Sequence, residues 1–530
     1  MKKLFIILPF FICSVIFAQA QNKSSIIPQP QEIISKSGNF IINESTRITS
    51  VSPQLREVAS YLQFETLKYK ELPLTIKNNS SDNRSIFLEI TDKDEPEGAY
   101  ALSISTNGIK VKSGNATGVF YGVVTLLQLI VTGEMDNNGN IEIPSMEITD
   151  SPHYKWRGLM LDTSRYFVSK EKIISLIDWM AFYKLNKLHL HLTDEPAWRI
   201  EIKKYPKLAL VGGIGNDNNP LAPAKFYTQQ EIKEIVEYAK KRKIEVIPEI
   251  DMPGHATAAN RAYPEYSGGG SEKYPEFTFD PGNNKTYGYL TDILKEVDVL
   301  FPSKMLHLGG DEVSFGNDKW KDNKGIKSLI KQKNLKNMKK VEHYFIQRMA
   351  DSIYKLDAKL LVWDELAGVD LPRDKTIIFW WRHDKPEKFN LALNKGYKIV
   401  VTPRLPYYFD FVQHESHRSG RRWEGEFNPL EKIYSFSVDD WIDEGNIVYK
   451  SNILGVQASL WGETITSHNR LEFLLFPRIT ALAESAWKEN RNNFSDYKRR
   501  LRKHLNLYKS QNIYYFDPFD PQEFPEVKYY

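Results

Sequence analysis

From about residue 153 onward, short apolar runs alternate with longer stretches of helical periodicity, and this constrains the fold more than any other feature. Eight runs carry the pattern: 158–161, 187–192, 244–250, 305–308, 359–362, 376–379, 398–401 and 453–459. Between them, 169–185 places Ile173, Ile177, Met180 and Ala181 on one helical face. Thr228 precedes a helical stretch over 229–243 with Glu231 three residues later, the spacing of a capping box. Residues 339–356 and 471–487 read as two more helices. Mostly apolar strands separated by helices predict an α/β fold with a parallel sheet, and eight such units predict closure as a (β/α)8 TIM barrel. An open doubly wound sheet is the alternative, but no glycine-rich phosphate loop follows the first strand.

A small α+β domain is expected ahead of the barrel. Residues 101–105 and 108–111 alternate like half-buried strands, Asn107-Gly108 and Asn138-Gly139 mark turns, and 53–70 and 118–127 have helical spacing. Lys2 and Lys3, an apolar stretch over 4–17 and Ala18-Gln19-Ala20 read as a secretory signal peptide. The expected divisions are a leader at 1–20, the α+β domain at 21–150, the barrel at 151–510 and a tail at 511–530. Export places the protein in the periplasm or outside the cell. The only cysteine, Cys13, falls in the leader, so the mature chain would have no disulfide, thiol nucleophile or Cys-bound metal. The formal charge of +4 becomes +2 without Lys2 and Lys3, far from a nucleic-acid footprint, and no later run is long enough to span a membrane.

Polar residues cluster where the barrel strands should end. They are Asp162 to Arg165, Asp194-Glu195, Glu249 with Asp251, Asp311-Glu312, Trp363-Asp364-Glu365, Trp380-Trp381-Arg382 and Trp461-Gly462-Glu463. In a parallel barrel these ends converge on one face, where TIM-barrel chemistry is done. The histidines raise a competing possibility, because His189, His191, His255 and His307 are a donor set of the kind that holds zinc. Alternation points His189 and His191 the same way, into the barrel, so core or supporting histidines are the better reading.

Several of these segments resemble one family. His307-Leu-Gly-Gly-Asp-Glu-Val313 is similar to the signature of glycoside hydrolase family 20, the β-N-acetylhexosaminidases. Arg157-Gly-Leu-Met-Leu-Asp-Thr-Ser-Arg165, His189-Leu-His-Leu-Thr-Asp194, Pro248-Glu-Ile-Asp-Met-Pro-Gly-His255 and Trp461-Gly-Glu463 match in family order. Ile27-Pro-Gln-Pro30 and Gly118-Val-Phe-Tyr-Gly122 resemble the domain that precedes the barrel in that family.

The resemblance implies an exo-acting, retaining enzyme that removes terminal N-acetylglucosamine or N-acetylgalactosamine. The substrate's own acetamido oxygen would attack and form an oxazolinium ion, as in the substrate-assisted exceptions to two-carboxylate catalysis. Glu312 would be the acid and base, and Asp311 would hold the acetamido N–H. Asp194 and His255 would orient Glu312, and Tyr408 would bond the acetamido oxygen, with Tyr407 as the alternative one residue away. Trp363, Trp381 and Trp461 would wall the acetamido group, with Trp380 as the alternative to Trp381. Arg157, Asp410 and Glu463 would bind the outer hydroxyls. No metal or organic cofactor is implied, and the expected partner is an N-acetylhexosamine-terminated oligosaccharide or glycoconjugate. Asp194-Glu195-Pro196 departs from the two aspartates and glutamine of many members. A disaccharide-releasing specificity or a non-catalytic glycan-binding protein remains as an alternative.

Overall fold

The computed structural model describes residues 24–50, 52–77, 84–417, 420–522 and 525–526. The expected leader, with Cys13 and the Ala18-Gln19-Ala20 signal, lies outside the described residues. The first seven strands are β1 (Glu32–Ile42), β2 (Arg47–Ser50), β3 (Thr75–Lys77), β4 (Ser85–Ile90), β5 (Tyr100–Ser105), β6 (Gly108–Ser113) and β7 (Ile141–Asp150). They form one mixed sheet in the order β1-β7-β5-β6-β4-β2-β3. The helices Arg56–Lys70 and Ala116–Thr132 pack on it. Residues 118–131 of the second helix are all buried, because its near-continuous apolar sequence is covered by the sheet on one side and by barrel helices on the other. Its one buried amide, Gln128, accepts from the Ile27 N–H at 2.8 Å and donates to the Phe182 carbonyl at 2.6 Å, tying the two parts together.

The next strand, β8 (Trp156–Asp162), opens the barrel, followed by β9 (Lys187–His191) and β10 (Glu245–Glu249). A short hairpin, β11 (Ser267–Gly269) with β12 (Thr278–Phe279), then interrupts the alternation. The barrel resumes with β13 (Met305–His307), β14 (Lys359–Trp363), β15 (Thr376–Trp380), β16 (Lys398–Val401) and β17 (Ile453–Leu460). All eight barrel pairings are parallel, and β17 returns to β8 to close the ring. Each of the eight apolar runs is therefore a barrel strand. The capping box forms: Thr228 accepts from the Glu231 N–H, and Glu231 accepts from the Thr228 N–H, at the start of Gln229–Lys241.

One expected helix is two. Residues 471–487 split into His468–Leu475 and Arg478–Trp487 at Pro477, which has no N–H to continue the first helix. Inside the barrel, Trp156, Met160, Ile247, Met305, Leu361, Ile377, Phe379 and Val400 pack as one buried cluster beneath the site. With side chains alternating along each strand, this sets the parity of every residue above it.

Candidate active site

The carboxyl ends of the strands bring Asp162, His191, Glu249, His307 and Trp363 to one face, and the loops beyond them add the remaining groups. Asp311 and Glu312 lie on the loop after β13. That loop needs glycines: Gly309 and Gly310 have φ of 64° and 90°, and a Cβ at Gly309 would lie 1.9 Å from Asp251 Oδ1. Glu312 and His255 are themselves left-handed, with φ of 51° and 55°, a cost that sites of function commonly carry. The Glu312 side chain makes no cap bond to the short helix that follows it. Both carboxylates face one imidazole nitrogen: His255 Nε2 is 3.6 Å from Asp311 Oδ2 and 3.8 Å from Glu312 Oε2. His255 Nδ1 is 3.0 Å from Asp194 Oδ1 and 3.2 Å from Glu195 Oε2.

Burial raises the Glu312 carboxyl above its ordinary value, with His255 opposing and Glu365 adding to the rise. Asp311 is pushed well above the carboxylate range, first by burial and then by Asp251 beside it. Asp251 itself is pushed up to about 7 by burial, against the attraction of His255. Asp194 goes the other way: burial would raise it, but Arg165 and His255 outweigh that and hold it ionised. For His255, burial disfavours the charged ring, yet Asp194 and Glu195 hold it well above its usual range. The site thus has ionised partners around two carboxyls that tend to keep a proton.

Aromatic rings complete the pocket. Trp381 and Tyr408 lie nearly parallel, 9° apart with centroids at 6.2 Å. Tyr408 meets Trp461 at 5.9 Å, and Trp461 meets Trp363 at 6.0 Å. The neighbours Trp380 and Tyr407 turn away: Trp380 packs on Phe389 and Trp441 outside the barrel, and the Tyr407 hydroxyl bonds Ser485. Trp381 and Tyr408 are therefore the pocket residues of each pair. At the outer edge Asp410 is fully buried, and neither of its oxygens has a hydrogen-bond partner among the described residues. Burial and Glu463 push its carboxyl up to about 7. Glu463 pairs with Arg421 at 2.7 Å and leaves Oε2 unbonded.

Arg157 is not in this site. It is the second residue of β8, five positions before Asp162, so at about 3.3 Å per residue it lies about 16 Å down the strand. It also has the outward parity, opposite to Trp156 and Met160. Its guanidinium donates to the carbonyls of Lys184 and Tyr154 and to the Tyr121 hydroxyl, and lies over the Tyr121 and Trp487 rings. It joins barrel and N-terminal domain. The arginine of the pocket is Arg165, beyond the other end of β8. It lies 2.5 Å from Asp194 and 3.4 Å from Asp162, with its guanidinium over Trp461. Asp251, Glu365 and Arg421 also belong to the site and were not singled out from sequence as functional. Asp251 and Glu365 were among the polar residues marked at the strand ends but were given no role, whereas nothing in the local sequence marks Arg421.

Among the described residues, four donor sets have ligand atoms within 4.8 Å of one another: His189/Glu249/His307, His191/Asp194/Asp251, Asp194/Glu195/His255 and Asp251/His255/Asp311. In the first, Glu249 is already matched to His189 at 3.1 Å, His307 at 2.9 Å and the Trp363 N–H at 2.9 Å. The Glu249 oxygens are thus already taken up by protein neighbours, which fits a buried polar cluster better than a catalytic metal site with an open position.

A cluster of tryptophans beside paired carboxyls at the carboxyl face of a TIM barrel defines a glycosidase-type site. The chain belongs to glycosyl hydrolase family 20: the model of its catalytic domain matches residues 154–490, and that of its domain 2 matches 23–151. The chain is 32% identical over 493 residues to a β-hexosaminidase of Porphyromonas gingivalis, covering 90% of this chain and 62% of the relative. It is also 32% identical to a β-hexosaminidase of Vibrio furnissii, covering 87% and 76%. Among solved structures, an exo β-N-acetylglucosaminidase of Vibrio harveyi in complex with N-acetylglucosamine superposes with a TM-score of 0.86 at 30% identity, covering 94% of this chain and 79% of that one. An N-acetyl-β-hexosaminidase of Streptomyces plicatus gives 0.81 at 27%, covering 94% and 98%.

Proposed function

We propose that the protein is an exported, exo-acting, retaining β-N-acetylhexosaminidase that uses the substrate's acetamido group as nucleophile. The observation that carries this reading is that Asp311 and Glu312 both converge on His255 Nε2, at 3.6 and 3.8 Å. Two carboxyls approaching one nitrogen from one loop are poorly placed to flank a glycosidic bond, as an acid and an enzymic nucleophile about 5 Å apart must. Asp162, Asp194, Glu249, Asp364, Glu365 and Glu463 are engaged by arginine, histidine or tryptophan. None of them is a free nucleophile.

In the proposed reaction the acetamido oxygen attacks the anomeric carbon as the glycosidic C–O bond breaks. The Glu312 proton passes to the leaving oxygen. Asp311, ionised once the substrate's N–H and the developing oxazolinium charge offset the burial that raises it, accepts the acetamido N–H and stabilises that charge, and Tyr408 donates to the acetamido oxygen. Trp363, Trp381 and Trp461 hold the ring and methyl group dry, which strengthens those bonds. Water then gives its proton to Glu312 and adds to the same carbon, restoring the starting configuration. Arg165, Asp410 and Glu463 hold the outer hydroxyls; the unbonded Asp410 oxygens have the polarity that sugar hydroxyls satisfy.

The test compares aryl β-N-acetylglucosaminide, aryl β-N-acetylgalactosaminide and aryl β-glucoside. Hydrolysis of the first two with negligible turnover of the third is expected. Equal turnover of the glucoside, or an ester trapped on a carboxylate by a fluorosugar, would overturn the mechanism. Release of disaccharides alone, or binding without turnover, would overturn the activity.

A further inference from the structure

The Asp194–His255 pair facing Glu312 does not end at Asp194. His191 Nε2 is 2.7 Å from Asp194 Oδ2, and His191 Nδ1 is 2.6 Å from Glu249 Oε2. We propose that His191 and Glu249 are positioning residues of the reaction assigned above. They extend the pair into the chain Glu249–His191–Asp194–His255–Glu312, which fixes the His255 ring and determines the pH up to which Glu312 keeps its proton. The proposal rests on the preceding functional reading.

The geometry and the ionised state of its two partners, Asp194 and Glu249, together set the charge of His191. Each ring nitrogen faces a carboxylate oxygen at hydrogen-bond distance, and a neutral imidazole has only one N–H. The other nitrogen would point a lone pair at a carboxylate, so the ring is an imidazolium. Burial disfavours that form, but Glu249 and Asp194 outweigh it. The chain then alternates in charge from Glu249 inward to His255 outward. Asp194 accepts from His191 through one oxygen and from His255 through the other, so His255 Nδ1 carries its hydrogen toward Asp194 and Nε2 is left for Glu312 and Asp311. Glu249 accepts from the Trp363 N–H at 2.9 Å, and the His189 and His307 rings pack beside it. The other charged groups near His191 are Arg165, 3.5 Å from Nε2, and, around it, Asp162 and Asp251. Those facing His255 are Asp194, Glu195, Asp251, Asp311 and Glu312.

The sign follows. Removing the His191 charge raises the proton affinity of every group beyond it, so the alkaline limb of the rate profile moves up. A unit charge roughly 10 Å away at an effective dielectric near 20 shifts a pKa by about one unit, and solvent at the mouth reduces this to about half. His191→Gln should therefore move the alkaline limb of kcat/KM up by about half a pH unit or more. It should cut kcat about 10- to 100-fold on an aryl N-acetylglucosaminide with a poor leaving group, leave an activated one much less affected, and change KM little. The double variant His191→Gln with Glu249→Gln removes one charge of each sign and should return the limb toward the parent. His189→Gln, which touches Glu249 but not Asp194, should not move it.

A folded His191→Gln enzyme with the parental limb, or an equal loss on all leaving groups, would overturn the proposal. If His191→Gln does not fold, ¹⁵N-histidine NMR of the parent decides: two imidazoles with both nitrogens protonated up to pH 8 are expected, and fewer would overturn it. That readout needs no turnover, so a parent inactive on every substrate refutes the functional reading without deciding this one.

Discussion

The two arginines at opposite ends of β8 make separable predictions. Arg157 is 2% exposed and donates at 2.8, 2.7 and 2.7 Å to the Lys184 and Tyr154 carbonyls and the Tyr121 hydroxyl. Arg157→Met keeps the length and apolar stem but withdraws three donors from buried acceptors. Each orphaned acceptor costs about 1–3 kcal/mol, and the lost stacking of the cation adds about 1 kcal/mol. Partial recovery through methionine packing leaves a loss of about 3–5 kcal/mol. An unfolding entropy of about 2 cal/mol/K per residue amounts to about 1 kcal/mol/K for a chain of this length, so Tm should fall by about 3–5 °C.

Arg165→Lys perturbs the other end. It keeps the charge beside Asp162 and Asp194 but loses the planar fork and its face over Trp461. Its effect should be catalytic: kcat/KM lower by about 10²-fold, with Tm within a few degrees of the parent. Differential scanning calorimetry and steady-state kinetics on an aryl N-acetylglucosaminide read both quantities on each variant. If Arg157→Met left Tm unchanged while kcat/KM fell more than tenfold, Arg157 would be a substrate ligand and the reasoning from its position would fail.

Glu312→Gln and Asp311→Asn should both slow the enzyme by about 10²–10⁴-fold. Only the first should be partly rescued by an activated aryl leaving group, and a thiazoline mimic of the cyclised acetamido group should bind Asp311→Asn much more weakly than the parent; equal rescue of both would refute the division of roles. Asp410, raised to about 7 in the fold, binds its proton more tightly than in the unfolded chain, so its contribution is full below about pH 4 and is lost as pH rises through 7. Asp410→Asn should accordingly flatten the fall of Tm between pH 5 and 7.5, and an unchanged slope would count against a buried, proton-holding carboxyl. Prolonged chelation should leave the rate unchanged, whereas a loss reversed by Zn²⁺ would make the His189/Glu249/His307 set a metal site. N-terminal sequencing of exported protein should begin at Gln21, and a start at Met1 would refute cleavage after Ala20.

The periodicity that made the barrel legible is the same property that hid part of the site. A parallel strand covered on both faces is apolar at every position, so alternation is erased and parity cannot be read from composition. In β15, Ile377 and Phe379 face the barrel interior while Ile378 and Trp380 face the helices, yet all four are apolar. Only closure of the ring shows that Trp381, continuing the inward parity, enters the pocket. Arg157 was misplaced for a related reason: the segment that carries the resemblance has an arginine at each end, Arg157 and Arg165, and the resemblance was carried onto the wrong one. The parity of β8 held a usable signal: Asp162 lies on the Trp156 and Met160 face, and Arg157 lies on that of Leu159 and Leu161. Spacing within one strand end did survive, which is why Asp311-Glu312 was found at once. The links that join strand ends could not be read this way. His255 meets Asp194 from 61 positions away, and Glu249 meets His191 from 58. Such pairings are set by which strands are neighbours, and β10 follows β9 around the barrel with Glu249 in register with His191. The register that makes the sheet also assembles the charged chain that leads to Glu312.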